Sequence, residues 1–295
     1  MARLKRFKNR PQYMTEDRHS RFTDARMDKS RAQHVPVTPQ TESPAYKLAF
    51  ADEAFLCREE LRPVRLQLEL LKPELMLDEK GIEGTVVMFG GARIPAPSQK
   101  ANARTQTLAD LSAFYDEARI FAQKMTERSL KTHGKKHVIV TGGGPGVMEA
   151  GNRGAVDVGG ASIGLNIVLP HEQAPNEYVT PELCFNFHYF ALRKMHFLMR
   201  AEAICVFPGG FGTLDELFEA LTLIQTGRME PVPFLLFGRT FWESIVNWDA
   251  LSEAGTISAE DLDLFQFVET ADEALAAIDN WAPQPVRQSL PGRDD

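Results

Sequence analysis

Cysteine is scarce: Cys57, Cys184 and Cys205 are the only three in a chain of 295 residues. They are odd in number, far apart and without metal-ligand spacing, which excludes a disulfide framework and a zinc ribbon. Reduced, buried thiols of a cytoplasmic protein are the expectation. Long apolar runs are missing too. None approaches the roughly 18 residues of a membrane-spanning helix, and no apolar segment follows the basic N-terminus as a secretory signal would require. A cytoplasmic location with no membrane contact is therefore expected. Overall positive charge is also lacking. The net charge is −7 and the pI is near 5.6, which speaks against nucleic acid as a partner.

What is present is 43% hydrophobic sequence, enough for one large α/β domain or two small ones. Residues 1–31 hold ten Lys and Arg against four acids, which leaves −13 on the other 264 residues. The linker-like Val35-Pro36-Val37-Thr38-Pro39 and Ser43-Pro44 follow, so 1–45 reads as a loosely draped basic arm. Residues 46–80 read as a helical extension. Leu66, Leu68, Leu70, Leu71, Leu75 and Leu77 alternate with acids, and Pro63 and Pro73 are expected to break the stretch. From 81 to 282 short apolar runs alternate with helical patterns, and 283–295 reads as a tail.

The strands expected are Thr85–Phe89, His137–Thr141, Ser162–Ile167, Ala203–Phe207, Phe234–Phe237 and Phe265–Val268, with a weaker one at Cys184–Phe187. Helices are expected at about 106–130, 146–158, 188–201, 213–226, 239–254 and 271–281. Buried runs separated by helices imply an α/β fold with a Rossmann-like parallel sheet of about seven strands and right-handed crossovers. In such sheets ligands bind beyond the carboxyl ends of the strands.

Two glycine loops occupy such places. Thr141-Gly142-Gly143-Gly144-Pro145-Gly146-Val147-Met148 leaves a strand and opens a helix, where glycines admit a ligand to the backbone and free N–H groups favour an anion. It is not a Walker A loop, because no Gly-Lys-Ser/Thr follows. It is not a dinucleotide fingerprint either, because the third glycine position is Val147. The second loop is Phe207-Pro208-Gly209-Gly210-Phe211-Gly212-Thr213-Leu214-Asp215-Glu216. Gly209, Gly210 and Gly212 can form an amide nest for phosphate, and Thr213 can add its hydroxyl. Glu216 has two readings here: a group that works on substrate, or the far member of a Thr213-x-x-Glu216 capping box. Between the loops Arg193 and Lys194 sit in an aromatic helical stretch, as ligands for an anion or as snorkelling surface charges. His188 and His196 share a helix face, but no third metal ligand accompanies them.

TGGGPGVMEAGNRGA at 141–155, LRKM at 192–195 and PGGFGTLDE at 208–216 together resemble the LOG (Lonely guy) family. These are cytokinin riboside 5′-monophosphate phosphoribohydrolases, often labelled lysine decarboxylase-like. The resemblance covers about 84–281 and is nearer the longer bacterial branch. Phe89-Gly90-Gly91-Ala92-Arg93 replaces the Cys-Gly-Ser-Ser of the short plant members, and some 80 residues precede it. The resemblance implies a homodimer or higher homo-oligomer and no cofactor or metal. It places the catalytic arginine at Arg193 and the catalytic glutamate at Glu216. Substrate contacts fall on Lys194, on Thr222, and on a loop acid that maps to Glu172 or Glu177. It further implies hydrolysis of the N-glycosidic bond of a nucleoside 5′-monophosphate, AMP or an N6-modified AMP.

On this reading the phosphate sits on Gly209–Thr213 and the base packs near Gly143, Gly144 and Met148. Glu216 stabilises an oxocarbenium-like sugar, and Arg193 holds Glu216 ionised. The alternatives are a non-catalytic carrier of a nucleotide or of molybdenum cofactor, a pyridoxal-phosphate decarboxylase using Lys194, and an NAD enzyme. The Arg193 and Glu216 pair disfavours the carrier. The absence of a supporting acidic partner disfavours the decarboxylase, and the loop spacing disfavours the NAD enzyme.

Overall fold

The computed structural model describes residues 22–170 and 174–282. Glu172 and the tail from 283 lie outside the described residues, as does most of the basic segment, 1–21. The chain divides into two units, Met1–Glu79 and Lys80–Asp295.

In the first unit α1 (Ala25–Ala32) begins where the Asp24 carboxylate accepts the Arg26 N–H at 2.8 Å. None of its residues is buried. α2 (Glu53–Leu56) ends at Cys57, which is exposed, and so departs from the buried thiol expected. α3 (Arg62–Glu79) is one helix of 18 residues. Pro63 falls in its first turn, where the N–H it lacks would have had no partner. The break expected at Pro73 does not occur, because Leu66, Leu70, Pro73 and Leu77 form one stripe at helical spacing, with Pro73 and Leu77 buried. Apolar burial along this stripe outweighs the single backbone bond that proline removes.

The second unit runs β1 (Thr85–Phe89), α4 (Gln106–Asp110), α5 (Ala113–Lys131), β2 (Val138–Thr141), α6 (Val147–Asp157), β3 (Ser162–Ile167) and β4 (Cys184–Phe187). It continues through α7 (Phe190–Leu198), β5 (Ala201–Val206), α8 (Phe211–Gln225), β6 (Phe234–Phe237), α9 (Arg239–Ile245), α10 (Trp248–Glu253), β7 (Gln266–Val268) and α11 (Ala271–Asp279). The strands form a seven-stranded sheet in the order β4-β3-β2-β1-β5-β6-β7. Every pairing is parallel. β5 starts at Ala201, two residues before the expected Ala203, and the helix expected to reach 201 ends at Leu198. The helices expected at 106–130 and 239–254 are each split in two, the second at Asn247, whose side chain caps α10.

β1 to β4 add successively on one side of β1, whereas β5 to β7 add on the other. Chain order therefore reverses between β1 and β5, the place where loops splay apart and leave a crevice. The floor of that crevice is fully buried: Val86, Met88, Ile204, Cys205 and Phe207 are at most 0% exposed, and Phe207 stacks on Phe237 with ring centroids 4.0 Å apart. Burial pushes the Cys205 thiol well above its usual range, which leaves it an inert core group.

Candidate active site

Three loops leave the carboxyl ends of β1, β2 and β5 and meet around a cavity of about 840 Å³. The loop after β5 supplies Gly209, Gly210 and the first turns of α8. α8 starts at Phe211 with Gly210 as its N-cap, and no side chain caps it. Thr213 is therefore inside the helix. The capping box of Thr213 and Glu216 does not form, which removes the purely local explanation for the glutamate. Leu214 donates to the Gly210 carbonyl at 3.0 Å, so the amides before it stand at the free positive end of the helix. A Cβ added at Gly210 or Gly212 would meet nothing within 4 Å, and Phe211 is 93% exposed. At Gly209 a Cβ would run into the Thr213 side chain.

Glu216 lies further along α8 and lines the cavity. Its side chain is 11% exposed, and its Oε1 is 3.8 Å from Nη1 of Arg193 on α7. Arg193 is fixed from behind: its Nε donates to the Leu165 carbonyl at the end of β3, at 2.7 Å, and its guanidinium lies over the Phe197 ring. Burial raises Glu216 from the usual 4.5 to about 7; the charges of Arg193 and then Lys194 pull it down without prevailing. Arg193 thus favours the ionised carboxylate, as expected, but the net shift is upward. The ion pair is long, and desolvation wins.

Lys194 does not line the cavity. Its Nζ reaches Asp215 at 2.8 Å and Glu219 at 2.7 Å. Burial acts to lower its pKa, but these carboxylates and the charge of Glu216 raise it overall. Thr222 also stands away from the cavity; it is exposed, and its hydroxyl donates to the Phe218 carbonyl. Glu177 is exposed beside the Tyr178 hydroxyl and does not line the cavity.

The loop after β2 contributes Gly142 and Met148 to the wall, but not Gly143 or Gly144. Arg193 and Met148 fill the space a Cβ at Gly142 would take. Gly143 and Gly144 are held from behind by Asn176, whose Nδ2 donates to their carbonyls at 3.0 and 2.9 Å. The same amide group reaches Oδ1 of Asn152, which is 0% exposed and also takes the Thr141 hydroxyl at 2.8 Å. Gly146 has φ +70, and a Cβ there would meet the Gly91 carbonyl.

The loop after β1 completes the site, and sequence reasoning had given it no role. Gly90, Gly91, Ala92, Arg93 and Ile94 line the cavity. A Cβ at Gly90 would strike Val147 at 2.6 Å, and one at Gly91 would be 3.0 Å from the Pro208 carbonyl, so these glycines let the other two loops close. Doubled glycine after a strand was the available signal. Among the described residues, no three His, Cys, Asp or Glu are placed to hold a metal ion.

The family model described as "Possible lysine decarboxylase" matches residues 148–278. The chain is 25% identical over 175 residues to cytokinin riboside 5′-monophosphate phosphoribohydrolase LOG3 of Arabidopsis thaliana, which is 58% of this chain and 77% of that one. It is 28% identical over 150 residues to LOG4 of the same plant, 50% of this chain and 68% of that one. Among solved structures, it is similar to a molybdenum cofactor binding protein from Rippkaea orientalis. That match has a TM-score of 0.45 and 15% identity, and covers 67% of this chain and 96% of the other. A molybdenum cofactor carrier protein from Chlamydomonas reinhardtii is similar at TM-score 0.40 and 19% identity, with the same coverage. The likeness to the LOG family, read from the motifs, is thus found again, the family model covering residues 148–278 and the relatives matching at 25–28% identity.

Proposed function

We propose that this relative of the LOG proteins hydrolyses the N-glycosidic bond of a nucleoside 5′-monophosphate, giving free base and ribose 5-phosphate. One observation carries the reading: a largely buried carboxylate, Glu216, stands a turn beyond an uncapped, glycine-lined helix start and beside an arginine. The phosphate binds the free amides of Phe211, Gly212 and Thr213 at the start of α8, with Gly210 and Gly212 leaving it room and Gly209 letting the Thr213 side chain pack close. C1′ then lies near Glu216, and the base extends toward Gly142 and Met148. Gly143 and Gly144 shape that wall from behind.

As the C1′–N bond breaks, the base leaves with the bonding pair and positive charge develops on the sugar. Water adds to C1′, its proton passes to the Glu216 carboxylate, and that proton goes on through solvent to the departed base, which restores the carboxylate. A group titrating near neutral pH is suited to that transfer, which favours Glu216 as water activator over nucleophile. Arg193, anchored through Leu165, orients the nucleotide and limits the rise in Glu216. Lys194 acts indirectly, by holding Asp215 and Glu219 away from the phosphate. A homo-oligomer and a cytoplasmic location accompany this reading. The absence of any cofactor requirement is part of it.

The test is a panel of AMP, GMP, IMP, CMP, UMP and isopentenyl-AMP, with free base resolved by chromatography. Release of base from at least one of them, stoichiometric with ribose 5-phosphate, is expected. Tight nucleotide binding with no turnover across the panel would replace the enzyme by a carrier.

A further inference from the structure

Beside the cavity of Glu216 lies a second one, of about 430 Å³. The segment after β1 divides the two, and Ala92, Arg93, Ile94 and Leu108 face both. The far wall carries Arg104, Tyr115 and Glu149. Glu149, the one carboxylate lining this space, accepts the Tyr115 hydroxyl at 2.7 Å. Burial and then that bond push the tyrosine up to about 12, so it remains a neutral donor.

The two arginines are the unusual feature. Among the described residues neither guanidinium has a carboxylate, carbonyl or ring as its partner, and both are exposed. Elsewhere in the α/β unit arginines are engaged. Arg119, Arg128 and Arg239 sit on carboxylates, Arg193 and Arg200 on backbone carbonyls, and Arg153 over the Tyr178 ring. Among the described residues of that unit, Arg228 is the one other arginine without such a partner, and it lines neither cavity. Two unengaged planar cations lining one hollow suit a carboxylate or phosphate, which a guanidinium grips through two parallel N–H bonds.

Position says which part of a ligand arrives there. With the sugar phosphate on α8 and C1′ at Glu216, the base points away from α8, toward Met148 and the Arg93 wall, and the second cavity opens behind that wall. We propose that this cavity receives an anionic substituent carried on the substrate's base and bound by Arg93 and Arg104. The natural substrate class is then a nucleoside 5′-monophosphate whose base bears a carboxylate or phosphate group. This inference rests on the phosphoribohydrolase reading.

The test compares AMP with N6-succinyl-AMP on the wild-type protein and on Arg104→Ala. Arg104 lines only the second cavity and is exposed, so its removal leaves fold and catalytic cavity in place. For wild type, kcat/KM is expected to favour the succinyl nucleotide by about tenfold or more, mainly through KM, as one or two charge-assisted bonds imply. Arg104→Ala should lose most of that preference and cleave AMP within about twofold of wild type. If AMP is cleaved but the succinyl group brings no advantage, or the advantage survives Arg104→Ala, the subsite is overturned and the function stands. If neither nucleotide is cleaved, the subsite is overturned, and the function falls with it only if no member of the nucleotide panel is cleaved either. A final arm adds inorganic phosphate or succinate to the AMP assay. An Arg104-dependent change in rate would mean that the cavity takes a free anion, and would overturn the attached substituent.

Discussion

The loop after β2 and the loop after β5 both pass from a buried strand through glycines into a helix, yet they are built to opposite ends. In the first, every opening is filled. Asn176 holds its carbonyls and is itself held by Asn152, Asn166 closes on Gly143, and the Gly91 carbonyl closes on Gly146. In the second, Gly210 and Gly212 face open space at a helix start that no side chain caps. The same residue type serves packing in one loop and vacancy in the other. The first is a packed wall, and the second leaves the open space that a receptor would need.

The comparison is most strongly tested through the phosphate. If the β5 loop is the receptor, AMP should exceed adenosine in kcat/KM by about a thousandfold or more, since several charge-assisted bonds of roughly 1.5–3 kcal/mol each are lost with the phosphate. Equal cleavage of adenosine would move the phosphate elsewhere. Next in size is Glu216→Gln, expected to lower kcat by about 10²–10³ while nucleotide binding persists. Near-normal base release from that variant would end its catalytic assignment.

The walls answer to stability instead. Gly146→Ala places a methyl against the Gly91 carbonyl at φ +70, and should cost about 2–3 kcal/mol. For a unit of this size that is a Tm fall of roughly 5–10 °C; an unchanged Tm would show that the first loop is free to relax. Glu216→Gln should act in the other direction. Folding raises this group from 4.5 to about 7, so between those values the folded state holds the extra proton and stability drops as pH rises. The glutamine removes that loss. It should add nothing near pH 4 and on the order of 3 kcal/mol at most above pH 7, read as Tm against pH. A parallel pair of curves would contradict the buried, raised carboxylate. Smallest is Gly212→Ala, which fills only solvent. Its Tm should hold or rise slightly, because alanine favours the helix, while KM for AMP rises about tenfold, near 1.4 kcal/mol.

Much of this architecture is legible in the sequence, because the apolar runs at 85–89, 162–167 and 234–237 are strands buried at every position. What escaped has physical causes. Pro73 signals a break locally, but the burial that overrides it is tertiary. The start of α8 is hidden because its N-cap, Gly210, has no side chain to signal it. The division of labour between the glycine loops depends on Asn152 and Asn176, which no local pattern ties to Gly143. The sign of the Glu216 shift could not be read either, since the motif places a cation beside the carboxylate but does not say how dry the site is.

The order of the strands has a further consequence, which is kinetic. The crevice exists only when β1 has β2 on one side and β5 on the other, and Thr85 pairs with Ala201, over a hundred residues along the chain. Closing so long a loop comes late, after local helices and neighbouring strand pairs have formed. Glu216 and the loop after β1 lie on opposite sides of that last closure. Recovery of activity after denaturation therefore reports completion of the sheet and trails the return of helical signal, and a chain arrested at that stage would hold its helices without a site.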